Sequence, residues 1–144
     1  GEPTRAESKK RIFAWLYNPA SKDKASASAY DRAHVLEQYY DGQTVNTCFG
    51  RKIKADQHHA LNYIIQSTTS DLLLKRAIKI DKMLETKKSN IAFTLHDSLV
   101  IDLSLEDKGM VRELIKIFGA TDLGEYIVNV SAGKNFGQMK AAIL

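Results

Sequence analysis

Apolar residues recur along this chain at helical spacing first and in strand-like alternation afterwards. Residues 4–17 read as a helix: Pro3 and Thr4 suit its start, and Asn18-Pro19 stops it. Ser21 to Ser28 is polar and rich in Ala and Ser, as in a loop or a frayed helix start. Residues 29–40 are predicted helical, with Val35, Leu36 and Tyr39 on one side. Asp41-Gly42 signals a turn, and Thr44 to Lys54, β-branched and broken by Gly50, predicts a short hairpin. From about Gln57 to Leu84, the residues Leu61, Ile64, Ile65, Leu72, Leu73, Ala77, Ile80 and Leu84 mark the longest helix. A bend is expected near Ser67-Thr-Thr-Ser70, whose hydroxyls can bond back to the backbone.

After a loop at Lys87 to Asn90 the period changes. Ile91 to Leu95 and Leu99 to Leu103 are predicted strands meeting at His96-Asp97-Ser98. Ser104-Leu-Glu-Asp107 has the spacing of a capping box, opening a helix to about Phe118. Tyr126 to Val130 alternates as a strand, Gly133 to Gly137 reads as a loop, and a short final helix follows. Helices first and a small antiparallel sheet last define an α+β chain.

Bulk properties narrow the class. The 144 residues make one domain or a piece of one, and 44% apolar with 26% charged content suits a globular chain. A formal charge of +4 permits nucleic-acid binding without demanding it. Cys48 is the one cysteine, so the chain holds no internal disulfide and no cysteine-based metal site. That usage suits a reducing cytosol. No apolar run approaches the ~18 residues of a membrane span, and no signal-peptide pattern opens the chain.

Arg5, Lys9, Phe13 and Tyr17 stand four residues apart. Four-residue steps keep side chains on one helical face, drifting by about 40° per step. A face cationic at one end and aromatic at the other could hold a triphosphate on its guanidinium and ammonium groups and a base on its rings. The same spacing equally describes an amphipathic helix with two solvated bases. Asn62 and Gln66 also share a helical face, as amides suited to minor-groove acceptors or as amides that cross-link a surface. Asp97 is either a turn former or a carboxylate displayed for a metal. Sequence adjacency alone does not make a hydrolase triad of Ser98, His96 and Asp97, since triads draw on separate elements; a stand-alone hydrolase using His96 and Asp97 is kept only as a remote third reading. Adjacent His58 and His59 do not share a helical face, which argues against a metal site between them.

Taken together, Arg-x3-Lys-x3-Phe-x3-Tyr at 5–17, Asn-x3-Gln at 62–66 and His-Asp at 96–97 resemble the C-terminal part of family A DNA polymerases, the bacterial polymerase I and phage T7 type, and more closely its phage branch. Thr47-Cys-Phe-Gly50-Arg51 resembles the family's Gly-Arg stretch, and Val128 to Gly137 resembles the tail that ends its palm. The resemblance implies fingers helices over 1–86, with the motif B helix at 4–17, and a palm portion over 87–144, with the motif C hairpin at about 91–103. It implies that Arg5 and Lys9 touch the incoming dNTP, that Phe13 stacks near its sugar and base, and that Tyr17 closes the helix end. By the same resemblance His58, Asn62, Gln66, Arg51 and His96 face the primer–template. Asp97 would bind Mg²⁺ for two-metal nucleotidyl transfer, with His96 and Lys9 completing the catalytic set. In this family a Phe at the position of Phe13 goes with rejection of dideoxynucleotides.

Two positions depart from the pattern. Asn18 stands where the family usually has Gly, and its tolerance of left-handed geometry is expected to preserve the turn. Ser98 replaces the Glu of His-Asp-Glu and is a poor Mg²⁺ ligand. The family's first catalytic aspartate lies upstream of the fingers helix, and Gly1 to Thr4 hold no such segment. The expectation is therefore the C-terminal part of a template-directed polymerase, as half of a split enzyme or as a cleaved or engineered fragment. Alone it would be inactive, and it would need an upstream polypeptide carrying motif A and the thumb. Self-association is the fallback where that partner is absent. The expected location is the cytoplasm, that of the host for a phage protein. The alternative is a non-catalytic nucleic-acid-binding or interaction module derived from a polymerase.

Overall fold

The computed structural model describes residues 3–18, 20–22, 24, 26 and 31–142. Half of the Ser21 to Ser28 stretch, residues 23, 25, 27 and 28, and the expected helix start at residue 29 lie outside that range. The described chain is α+β, with four α-helices and four separate two-stranded antiparallel ladders. It divides into two compact units, Gly1–Thr69 and Ser70–Leu144.

In the first unit, helix α1 spans Arg5–Tyr17. Thr4 caps it, and the box is reciprocal: Glu7 N–H donates to the Thr4 hydroxyl at 3.3 Å, while Thr4 N–H donates to the Glu7 carboxylate at 2.8 Å. Those bonds, the backbone one foremost, hold the Glu7 carboxyl below its ordinary value. At the other end Asn18 does not take the left-handed conformation expected of it. Its φ is −115°, and it turns the chain through its side chain, which accepts from Ala20 N–H at 3.0 Å.

Helix α2, Arg32–Tyr39, is capped by Asp31, whose carboxylate accepts from His34 N–H at 3.0 Å. The turn after it is built by Asp41, which accepts from the amides of Gln43 and Thr44; these bonds lower its carboxyl pKa. Strands β1, Thr44–Asn46, and β2, Lys52–Lys54, pair with Val45 opposite Ile53. Val45, Ala60 and Ile64 form the centre of this unit's core, with Val35, Leu36, Tyr39, Ile53 and Tyr63 packed around them.

Helix α3 runs from Ala60 to Leu84, and its residues fall on both sides of the division at 69/70. The back-bonding expected in the Ser/Thr run is present: the Thr69 hydroxyl donates to Ile65 O at 2.9 Å.

The second unit contains β3, Asn90–Leu95, and β4, Ser98–Asp102. Ile91 pairs with Ile101 and Leu95 with Ser98, with a bulge between Ile91 and Phe93. Its core joins Ile80 and Leu84 of α3 to Leu114 of helix α4, Val111–Gly119, with Ile91, Leu99, Ile101, Ile117 and Phe118 around them. Burial of that stripe, not propensity, fixes the helix–hairpin arrangement.

Several sequence expectations are corrected in this unit. Ser98 is the first residue of β4 and not part of the turn. Residues Leu105–Met110 form a 3₁₀ turn ahead of α4, and the capping box at Ser104 is not closed. The Asp107 carboxylate does not take the Ser104 amide, which donates to the Ser89 hydroxyl at 2.9 Å; it accepts instead from Lys88 N–H, Ser89 N–H and the Ser89 hydroxyl at 3.0, 2.9 and 2.8 Å. Three donors from one loop outweigh a single capping amide. Tyr126 to Val130 is not a strand among the described residues. The ladders there are β5, Ala120–Thr121, with β6, Gly124–Glu125, and β7, Ser131–Ala132, with β8, Lys140–Ala141. Alternation marks which residues would face which way, but a strand also needs a neighbour to pair with. In place of a final helix there is a 3₁₀ turn at Phe136–Gln138 followed by β8. Gly133 is required there, because a Cβ would come within 2.6 Å of Gln138 O.

Candidate functional site

The stripe on α1 is displayed on one exposed face. Phe13 and Tyr17 are 43% and 51% exposed, and their rings stack at 6.0 Å with 15° between planes. The Lys9 ammonium lies 5.5 Å from the Phe13 centroid, so Lys9, Phe13 and Tyr17 form one continuous cation–aromatic row. Arg5 lies one turn before Lys9, also exposed. The opposite side carries Trp15, which is buried.

Arg32 of α2 covers that tryptophan. Its guanidinium carbon lies 4.6 Å from the Trp15 centroid, and its Nη2 donates to Trp15 O in the last turn of α1. Nothing in the spacing of Arg32 singles it out, since the contact joins residues 17 apart.

The Thr47 to Arg51 segment forms the loop of the β1–β2 hairpin. Thr47 N–H donates to Arg51 O at 2.9 Å, Arg51 N–H donates to the Thr47 hydroxyl at 3.1 Å, and Gly50 sits at φ +84°. The Arg51 side chain is exposed.

His58 is exposed just before α3, edge-on to His59 at 5.0 Å. His59 is engaged elsewhere: its Nδ1 is 2.8 Å from an Asp56 oxygen, and its ring stacks on Tyr63 at 6.0 Å. The His59 side chain and then its amide lower the Asp56 carboxyl pKa. Asn62 and Gln66 follow on α3. Gln66 is exposed, whereas Asn62 is half-buried, with its Oδ1 turned inward and no donor to it.

In the second unit, His96 and Asp97 alone form the hairpin tip, and both are exposed. His96 has φ 52°, left-handed geometry that a non-glycine residue seldom adopts. The Ser98 hydroxyl lies 3.4 Å from an Asp97 oxygen. Among the described residues, no group of three or more His, Cys, Asp or Glu side chains gathers to hold a metal ion. Asp97 does not make a metal site by itself. Phe93 on β3 meets Phe136 of the tail at 5.5 Å, edge to face, which fixes the tail against the hairpin.

These features sort by unit. The α1 stripe, the Arg51 loop, His58, Asn62 and Gln66 belong to the first, and His96 and Asp97 to the second. Among the described residues no helix is long and apolar enough to cross a membrane.

The first unit thus displays cations beside aromatic rings on one helix face, and the second displays a carboxylate at a hairpin tip. The chain is 27% identical over 90 residues to DNA polymerase I of Borreliella burgdorferi, a match covering 59% of this chain and 10% of that protein. This similarity supports a polymerase-related origin; the chain spans about a tenth of the relative's length. No family model matches the chain, and no solved structure matches it.

Proposed function

We propose that this chain is the fingers and motif C portion of a family A, phage-type DNA polymerase. It would bind an incoming dNTP and primer–template and contribute one metal-binding aspartate to nucleotidyl transfer. The observation that carries this reading is the Lys9–Phe13–Tyr17 row, 5.5 Å and then 6.0 Å between successive members, on an exposed helix face. A dNTP is a polyanion joined to a flat base, and the row offers the matching order of charge and ring.

In this reading Arg5 and Lys9 hold the triphosphate and neutralise its charge. Phe13 and Tyr17 carry the sugar and base. His58, Asn62, Gln66 and Arg51 contact the primer–template, for which Asn62 must turn its inward amide toward the duplex. His96 sits beside the primer end, and Asp97 contributes one Mg²⁺ ligand. Mg²⁺ held in part by Asp97 would supply activation of the primer hydroxyl and charge neutralisation at the leaving pyrophosphate. Further carboxylates come from a partner polypeptide that also supplies the thumb. Among the described residues the outer edges of β3 and β4 are unpaired, and Ile127 is 94% exposed; both support a covering segment of that kind.

The test is incorporation of labelled dNTP on a primed template with Mg²⁺. Three samples are compared: the chain alone, the chain with a polypeptide carrying motif A and the thumb, and that mixture with Asp97→Ala. Incorporation by the unmutated mixture alone is expected. Incorporation by the chain alone would overturn the shared metal site. DNA binding without incorporation in any mixture would replace the catalytic reading with a non-catalytic nucleic-acid-binding module.

A further inference from the structure

The contact between α2 and the last turn of α1 has no part in the nucleotide reading as stated, yet it holds the helix that carries the stripe. The last carbonyls of a helix lack partners within it. Trp15 O, in the last turn of α1, is satisfied by the Arg32 side chain from a different helix. The same guanidinium lies on the indole face at 4.6 Å, so one planar group binds α1 at two places. Trp15 is 7% exposed, and Arg32 Nε is buried without a hydrogen-bond partner. Leaving a buried donor unmet is unfavourable, and the position of the guanidinium is held against that cost by the stack and the carbonyl. Phe13 and Tyr17 flank Trp15 at two residues either side, so rotation of α1 about its axis moves all three together.

We propose that Arg32 is a positioning residue. By stacking on Trp15 and capping the last turn of α1, it fixes the rotation of the Arg5–Lys9–Phe13–Tyr17 face and so tunes its hold on a triphosphate. The proposal rests on the nucleotide-binding reading for its functional half and on the geometry alone for its structural half. Lysine at this position keeps the charge and can donate to the carbonyl but loses the plane that stacks on an indole.

Trp15 is the one tryptophan of the chain, so its emission reports on this contact directly. The experiment follows Trp15 emission, its quenching by acrylamide and α1 amide exchange in the full chain, for the wild type, Arg32→Met and Arg32→Lys. Each is then titrated with inorganic triphosphate, with Lys9→Ala as the control for the stripe. Arg32→Met is expected to red-shift Trp15, raise its quenching and speed exchange in α1, with far-ultraviolet dichroism unchanged. Its apparent triphosphate affinity should fall by about two- to fivefold, the range of one lost cation–π contact. Arg32→Lys should recover part of the affinity. Lys9→Ala should lose binding without altering Trp15 emission.

Unchanged emission and exchange in Arg32→Met would overturn the proposal. So would loosened α1 with undiminished triphosphate affinity. If the wild-type chain binds no triphosphate, the nucleotide reading fails, and the clamp stands or falls on emission and exchange alone.

Discussion

Leu95 and Ser98 face each other as the last rung of the β3–β4 ladder, which leaves His96 and Asp97 as a two-residue tip. A two-residue hairpin loop takes positive φ at its first position, where Gly or Asn usually stands, and His96 accepts that geometry at φ 52°. His96→Gly should therefore raise thermal stability, by about 1 kcal/mol. The same change should abolish the proposed primer contact. Thermal melting and primer extension by the complemented protein measure the two effects, and a stability loss would contradict the strain.

Asp97 is exposed and accepts one long hydrogen bond, from Ser98 at 3.4 Å. Asp97→Asn should change folding stability by less than about 0.5 kcal/mol. Incorporation of dNTP by the complemented protein should nevertheless disappear. A stability change above that bound would make Asp97 a structural residue.

Phe13→Tyr tests the stripe without dismantling it. The ring stacking against Tyr17 is kept, and a hydroxyl is added on an exposed face. In the polymerase reading, the complemented variant gains dideoxynucleotide incorporation while dNTP incorporation persists. Chain-termination patterns on a primed template decide it.

Asp107 ties the 88–89 loop to the segment ahead of α4, and its bonds from Ser89 and Lys88 hold its carboxyl below the ordinary 3.8. A carboxyl depressed in the folded state stabilises it above the unfolded value, and that contribution is lost as pH falls through the folded value. Acid unfolding monitored by dichroism should show a loss of stability starting near pH 4 and continuing below it. Asp107→Asn should lower stability at pH 7 and flatten that acid limb. An unaltered limb in the variant would assign the acid sensitivity to other carboxylates.

Ile80 is 1% exposed at the centre of the second unit's core. Ile80→Ala should destabilise by about 2–5 kcal/mol. Chemical denaturation of the two chains gives the difference directly.

What the sequence by itself determined here is local. Pro3 and Thr4 announce α1, Asp41-Gly42 announces a turn, and the apolar series from Leu61 to Leu84 announces α3, because caps, turns and periodicity act between residues close in the chain. The four-residue rhythm of the stripe, the Asn62–Gln66 pair and the presence of a hairpin around Asp97 are legible for the same reason.

Only the tertiary structure decided what depends on neighbours distant in sequence. Asp107 has capping-box spacing from Ser104 but bonds the loop at Ser89 because three donors converge there. Tyr126 to Val130 alternates like a strand yet joins no ladder, since pairing depends on what lies alongside. The fixing of the stripe by Arg32 is equally invisible to spacing: a cation reaching a carbonyl and a ring 17 residues away is a property of the fold.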